Sequence, residues 1–182
     1  MAYLEVMARA LLVGVFVVSL AGKLRGRAAF ADSVAALWPG SRRWIGAVSA
    51  ATVAGEATVV VLVVIPATAV AGLLSAAGIL AVFTAAILSA VRRGQRAPCR
   101  CFGRSDTALG LPHVVRNAVL LATCLLGLVG AAAATSAPRP GGVALALVCS
   151  AVALLFVLRF DDLVALVTPR SGDTVHYRPL SK

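Results

Sequence analysis

The sequence predicts an all-α fold: a polytopic membrane helical bundle with five spans. Three observations predict it. The 182 residues are 60% apolar and only 13% charged, more apolar than a water-soluble domain of ordinary composition. Several runs approach the roughly 20 apolar residues needed to cross a hydrocarbon core of about 30 Å. The cations gather in the connections between these runs, where Lys and Arg orient membrane spans. The formal charge of +10 is read the same way. Membrane lipid is the expected neighbour of the arginines, and nucleic acid is not, because no stretch interleaves basic and aromatic residues as a nucleic-acid surface does.

Span one runs from about residue 4 to 21. The N-terminus lacks a basic segment ahead of its apolar run and a small-residue cleavage site, so it is read as a retained span and not as a signal peptide. Glu5 and Arg9 stand four apart, which puts them on one helix face within pairing distance. Lys23 follows the span and is expected to snorkel toward the interface. The first connection, 23–43, carries Lys23, Arg25, Arg27, Arg42 and Arg43 against Asp32. Phe30, Val34, Leu37 and Trp38 have helical spacing, which predicts a short interfacial helix ending before Pro39-Gly40. Trp38 and Trp44 suit the headgroup level.

Residues 44–91 form one apolar stretch of 48 residues. As a single helix it would be about 72 Å long at 1.5 Å per residue, so it must fold back. Pro66 lies near its middle and removes a helix hydrogen bond there. The expected spans are 44–65 and 67–91 with a very short turn. Inside the first of them Glu56 stands alone among valines and alanines. A carboxylate at that depth is costly and is by default a functional-site candidate; the other reading is a hydrogen-bonded Glu that locks the bundle, and the two are compatible.

Residues 92–111 are the second basic connection. Pro112 fits the first turn of a helix, so span four is expected over 112–134, with His113, Arg116 and Asn117 in its opening turns. Residues 135–142 form a short proline-containing loop. Span five covers about 143–159, and a polar tail runs to Lys182. No internal repeat or second domain is visible. With five spans, the connections 23–43 and 92–111 and the tail share one side. They hold fourteen of the seventeen Lys and Arg residues. The positive-inside rule puts that side in the cytoplasm.

The second connection contains Ala97-Pro98-Cys99-Arg100-Cys101-Phe102-Gly103, with two of the four cysteines. A thiol reacts as its thiolate, and neighbouring positive charge favours that form. Arg96, Arg100 and Arg104 are close in sequence. A disulfide between residues one apart closes a small strained ring, and strained disulfides are easily reduced. Gly103 permits a sharp turn, and Phe102 can anchor the loop at the interface. Two other readings stand beside redox chemistry. The cysteines are incidental, or they bind a metal. Two thiolates with His113 are too few for a closed zinc site, and although soft Cu(I) suits two thiolates, nothing demands it, so no metal is expected. Cys124 and Cys149 lie in apolar spans and read as small packing residues. Arg116, one turn inside span four, needs a partner. Glu56 is the expected one, in a pair that braces the bundle or marks a polar pocket beneath the thiols for a quinone-like acceptor.

These residues carry a resemblance. The chain resembles the MauE family of methylamine-utilisation membrane proteins, which are similar in architecture to DoxX-like proteins. The matching elements are Ala21-Gly22-Lys23-Leu24 after span one, Glu56 in span two, Cys99-Arg100-Cys101-Phe102-Gly103 before span four and Arg116-Asn117 within it. The resemblance covers roughly residues 4–134, and Cys-x-Cys-Phe-Gly followed by Arg-Asn is its most specific part. It implies a four-helix core over 1–134, with an additional helix over 135–160 and a polar tail over 161–182. It also implies a cell-membrane protein that handles disulfides or reducing equivalents beside a thioredoxin-like partner, on the periplasmic side. On that reading Cys99 and Cys101 are the redox pair, supported by Arg100, Phe102, Gly103, Glu56, Arg116 and Asn117. A quinone is a candidate far acceptor. The rival reading is a non-catalytic assembly factor whose loop docks a partner. A solute transporter is disfavoured, since the spans offer few polar groups besides Glu56 and Arg116 to line a path.

Overall fold

The computed structural model describes residues 1–37, 42–93, 111–134, 136 and 138–167. It is an all-α bundle. The helices are α1 (Ala2–Arg25), α2 (Arg27–Leu37), α3 (Ile45–Val64), α4 (Ala69–Arg92), α5 (Leu111–Ala132) and α6 (Pro140–Val167), with short 3-10 turns at Arg42–Trp44 and Pro66–Thr68. Five segments are long and apolar enough to cross a membrane: Ala2–Arg25, Ile45–Val64, Pro66–Arg92, Pro112–Ala132 and Pro140–Phe160. The short helix α2 ends at Leu37, as the sequence predicts; Trp38 and Pro39-Gly40 lie outside the described residues.

Helices α1, α3, α4 and α5 form a closed ring in which each packs on two neighbours; α6 lies outside it, against α1 and to a lesser extent α5. This is the expected four-helix core with a fifth helix added. The buried faces carry helical periodicity. Leu11, Leu12, Val15 and Phe16 of α1 meet Val59 and Val63 of α3, Leu73, Ala76 and Leu80 of α4, and Leu120 and Cys124 of α5. Many other apolar residues, such as Leu145, Leu155 and Phe156 of α6, face outward. A chain in water would bury these side chains, whereas lipid solvates them. Cys149 belongs to this outer face, which corrects the packing role expected of it; Cys124 is fully buried.

The α3–α4 hairpin shows how the fold tolerates Pro66. In a continuous helix the Leu62 carbonyl would accept from residue 66, which has no N–H. The Thr68 hydroxyl donates to that carbonyl instead, at 2.9 Å. The next two carbonyls, of Val63 and Val64, accept from Arg9 Nε at 2.9 Å and Arg9 Nη2 at 3.0 Å. Arg9 also holds the expected pair with Glu5, 3.1 Å from Nη1 to Oε1. The guanidinium therefore caps the C-terminal end of α3 and ties it to α1. In lipid this matters because an unsatisfied carbonyl has no water to bond. Gly72 lets the hairpin close: a Cβ there would stand 2.7 Å from the Val63 backbone nitrogen.

Helix α6 passes the expected end at 159 and continues to Val167. Arg159, Asp161 and Asp162 are thus helical. Polarity ended the membrane-spanning part of the sequence pattern, but it does not end the helix.

Candidate functional site

At the end of the bundle where α1 and α4 finish and α3 and α5 begin, polar side chains from three core helices converge. Lys23 sits in the last turn of α1 and Ser19 one turn before it. Glu56 projects from α3, and His113, Arg116 and Asn117 come from the first two turns of α5. These six residues line one cavity of about 30 Å³. All six are buried. At roughly 10–15 Å³ per water the cavity is the size of two or three water molecules, and most of its surface is apolar, from Val15, Phe16, Leu80, Phe83 and Ile87.

The Lys23 ammonium is the centre of the arrangement. Its Nζ lies 2.5 Å from Glu56 Oε1 and 2.6 Å from Ser19 Oγ. Ser19 Oγ in turn stands 3.2 Å from Glu56 Oε1. The other sides of the ammonium face two aromatic rings, with Phe30 of α2 at 5.3 Å and Phe83 of α4 at 5.6 Å from the ring centroids. Both distances are within the range where a ring face attracts a cation. Four helices thus meet at one nitrogen, and α2 is pinned across the bundle end by Phe30. On α5, Asn117 Nδ2 donates to Thr84 Oγ1 of α4 at 3.2 Å.

Two sequence expectations are corrected here. Lys23 does not snorkel outward; it is 1% exposed and aims into the bundle. Glu56 is paired with Lys23 and not with Arg116: among the described residues the ion pairs are Glu5–Arg9 and Lys23–Glu56. The direction of helical side chains explains both. The Cα–Cβ bond tilts toward the helix N-terminus. Helix α1 ends at this side of the bundle, so Lys23 leans back down into it. Helices α3 and α5 begin here, so Glu56 leans up toward Lys23. Arg116 still lines the same cavity as Glu56.

Ser19 was not singled out by the sequence reading. The available signal was its spacing from Lys23: residues four apart share a face, and a serine followed one turn later by a lysine inside an apolar span marks a polar stripe. Cys99, Arg100, Cys101, Phe102 and Gly103, with Arg96 and Arg104, lie outside the described residues. Their connection leaves α4 after Arg93 and enters α5 at Leu111, and both of these flanking points belong to the bundle end that holds the cavity. Among the described residues no group of three or more His, Cys, Asp and Glu side chains is placed to hold a metal ion.

A family model described as methylamine utilisation protein MauE matches residues 1–130. No curated protein and no solved structure matches the chain. The matched region takes in α1 to α4 and nearly all of α5, which is the closed ring and its polar cavity; α6 lies beyond it.

Proposed function

The chain belongs to the MauE family, and from that premise we propose that it is a multi-pass protein of the cell membrane that performs or supports thiol–disulfide exchange. Cys99 and Cys101 are the exchanging pair. A thiolate of the pair attacks a sulfur of a disulfide in a thioredoxin-like partner and expels the partner's other sulfur as a thiolate, which takes up a proton. The second loop thiolate then attacks the mixed disulfide. The partner leaves as a dithiol, and the loop is left as a disulfide, two electrons poorer. Run in reverse, the same steps oxidise the partner. In that reverse direction the loop is left as a dithiol, and a membrane quinone is the candidate acceptor that takes up its two electrons and two protons and restores the disulfide. The family description points to methylamine utilisation as the setting.

The observation that carries this reading is the position of the polar cavity. The connection bearing Cys99 and Cys101 is anchored at Arg93 and Leu111 at the bundle end where Lys23, Glu56, His113 and Arg116 gather. Arg100 and its neighbours, with Arg92 and Arg93, favour the thiolate. On this reading Phe102, Gly103, Glu56, Arg116 and Asn117 are supporting residues for the exchanging pair.

A second reading is favoured by a specific contact. The Lys23–Glu56–Ser19 cluster braces the helices whatever the loop does, as a scaffold that docks a partner would need. Cysteine trapping separates the two. In cells carrying Cys99→Ser or Cys101→Ser, exchange predicts that one single variant accumulates a mixed disulfide visible as a mass shift, and that the double variant loses it. Full function in both single variants would remove the exchange reading. Membrane-impermeant thiol reagents added to intact cells report which side the loop faces.

A further inference from the structure

We propose that the arginines around α2 form a docking surface for the headgroups of anionic phospholipids. The surface goes beyond the thiol reading above and does not need the cysteines.

The charges come from the elements that α2 meets. This short helix packs on α1, α3 and α4. Its inner face carries the buried Phe30 and Ser33, and its outer face the exposed Arg27, Ala28 and Asp32. Arg25 is the last residue of α1, and Gly26 alone separates it from Arg27, the first residue of α2. Arg43 lies in the turn that leads into α3, and Arg92 is the last residue of α4. All four arginines are exposed, and Asp32 is the exposed carboxylate set against them. The buried charges beneath them cancel, since Lys23 is answered by Glu56. At the opposite end of the bundle Arg9 is paired with Glu5, and Arg139 is a further exposed cation.

The depth and the neighbours of these arginines select lipid over a soluble acidic partner. Arg25 and Arg92 close the apolar segments Ala2–Arg25 and Pro66–Arg92, which puts them where hydrocarbon gives way to headgroups. Leu24, 43% exposed, adjoins Arg25, and Trp44, 61% exposed, adjoins Arg43. A phospholipid matches both halves of this surface. Its phosphodiester accepts two N–H donors from one guanidinium. Its acyl chains cover the leucine and the indole, and an indole favours that boundary. A soluble acidic protein would leave those apolar flanks in water. A zwitterionic headgroup brings its own ammonium beside the phosphate, so an excess of cations favours a headgroup of net negative charge. Basic clusters next to membrane spans recognise anionic lipid by this excess.

Tryptophan quenching in lipid vesicles tests the surface. Trp38→Phe leaves Trp44 as the sole tryptophan of the full-length chain, which has two. The probe is phosphatidylglycerol brominated on its acyl chains and diluted into phosphatidylcholine. Brominated phosphatidylcholine at the same fraction is the reference. The expected result is stronger quenching of Trp44 by the brominated phosphatidylglycerol. An arginine near an anionic surface contributes about fivefold in affinity. In Arg25→Gln/Arg27→Gln/Arg43→Gln the relative association constant should therefore fall by at least about fivefold. Arg25→Lys/Arg27→Lys/Arg43→Lys should keep most of it. Arg139→Gln, at the opposite end, should leave it unchanged. So should the Cys99→Ser/Cys101→Ser double variant, so loss of thiol exchange and loss of lipid binding are read separately. Equal quenching by the two brominated lipids would overturn the proposal, and it is the result that a surface for a soluble acidic protein would give. An undiminished preference in the folded triple glutamine variant would overturn it as well. Helical circular dichroism shows that each variant is folded.

Discussion

Lys23 Nζ and Glu56 Oε1 are 2.5 Å apart, with both side chains withdrawn from the surface. The contact joins the last turn of α1 to the middle of α3, beside the apolar core around Leu12, Val15 and Val59. Removing one partner of a buried pair leaves an uncompensated charge, which costs about 3–5 kcal/mol. Lys23→Met should therefore destabilise the protein by that order. Lys23→Met combined with Glu56→Leu should recover most of the loss, since apolar replacement of a whole buried pair is often neutral. Denaturation of the single and double variants in detergent micelles measures the difference. A double variant as unstable as Lys23→Met would show that the pair is not an isolated unit.

The α3–α4 turn offers a separate test. Thr68→Val removes the donor that serves the Leu62 carbonyl and keeps the side-chain shape. The carbonyl has no water in lipid, so the expected loss is about 1–3 kcal/mol. Arg9→Met should cost more, because it frees two carbonyls and the Glu5 carboxylate at once. Thermal unfolding followed by helical circular dichroism would rank them: original chain, Thr68→Val, Arg9→Met.

Gly72→Ala should destabilise by about 1–3 kcal/mol, as overpacking of a close contact does. Its Cβ meets backbone of α3 at 2.7 and 2.8 Å, and backbone cannot swing aside as a side chain can. Gly46→Ala, where nothing lies within 4 Å, is the control and should be neutral or slightly stabilising through helix propensity. Equal effects at both positions would contradict the close approach of α3 and α4.

For the thiol chemistry, Cys124 and Cys149 should be dispensable. Cys124 is enclosed in the core and Cys149 faces outward from α6. The Cys124→Ala/Cys149→Ala variant should still form the trapped species expected of the loop cysteines, at an undiminished yield on a non-reducing gel. A loss of more than about tenfold, the scale set by removing an essential thiolate, would move the chemistry away from the loop.

The spans were legible in the residues because lipid imposes a length on an apolar run, and that length repeats five times. The hairpin at Pro66 was legible because proline cannot donate the next helix bond, and α2 because its apolar residues recur at helical spacing. Glu56 stood out because a carboxylate among valines is rare in a span. What the residues alone did not disclose was which cation would answer it. Ser19 and Lys23 share a face by spacing within one helix. But Lys23 and Glu56 are thirty-three positions apart, and their meeting depends on how α1 and α3 are rotated and on the axial tilt of side chains toward each helix's N-terminus. The placement of α6 outside the ring and its continuation to Val167 likewise come from packing. Hydropathy reports how much apolar surface a helix has, but only the assembled bundle decides which part of it meets protein and which part meets lipid.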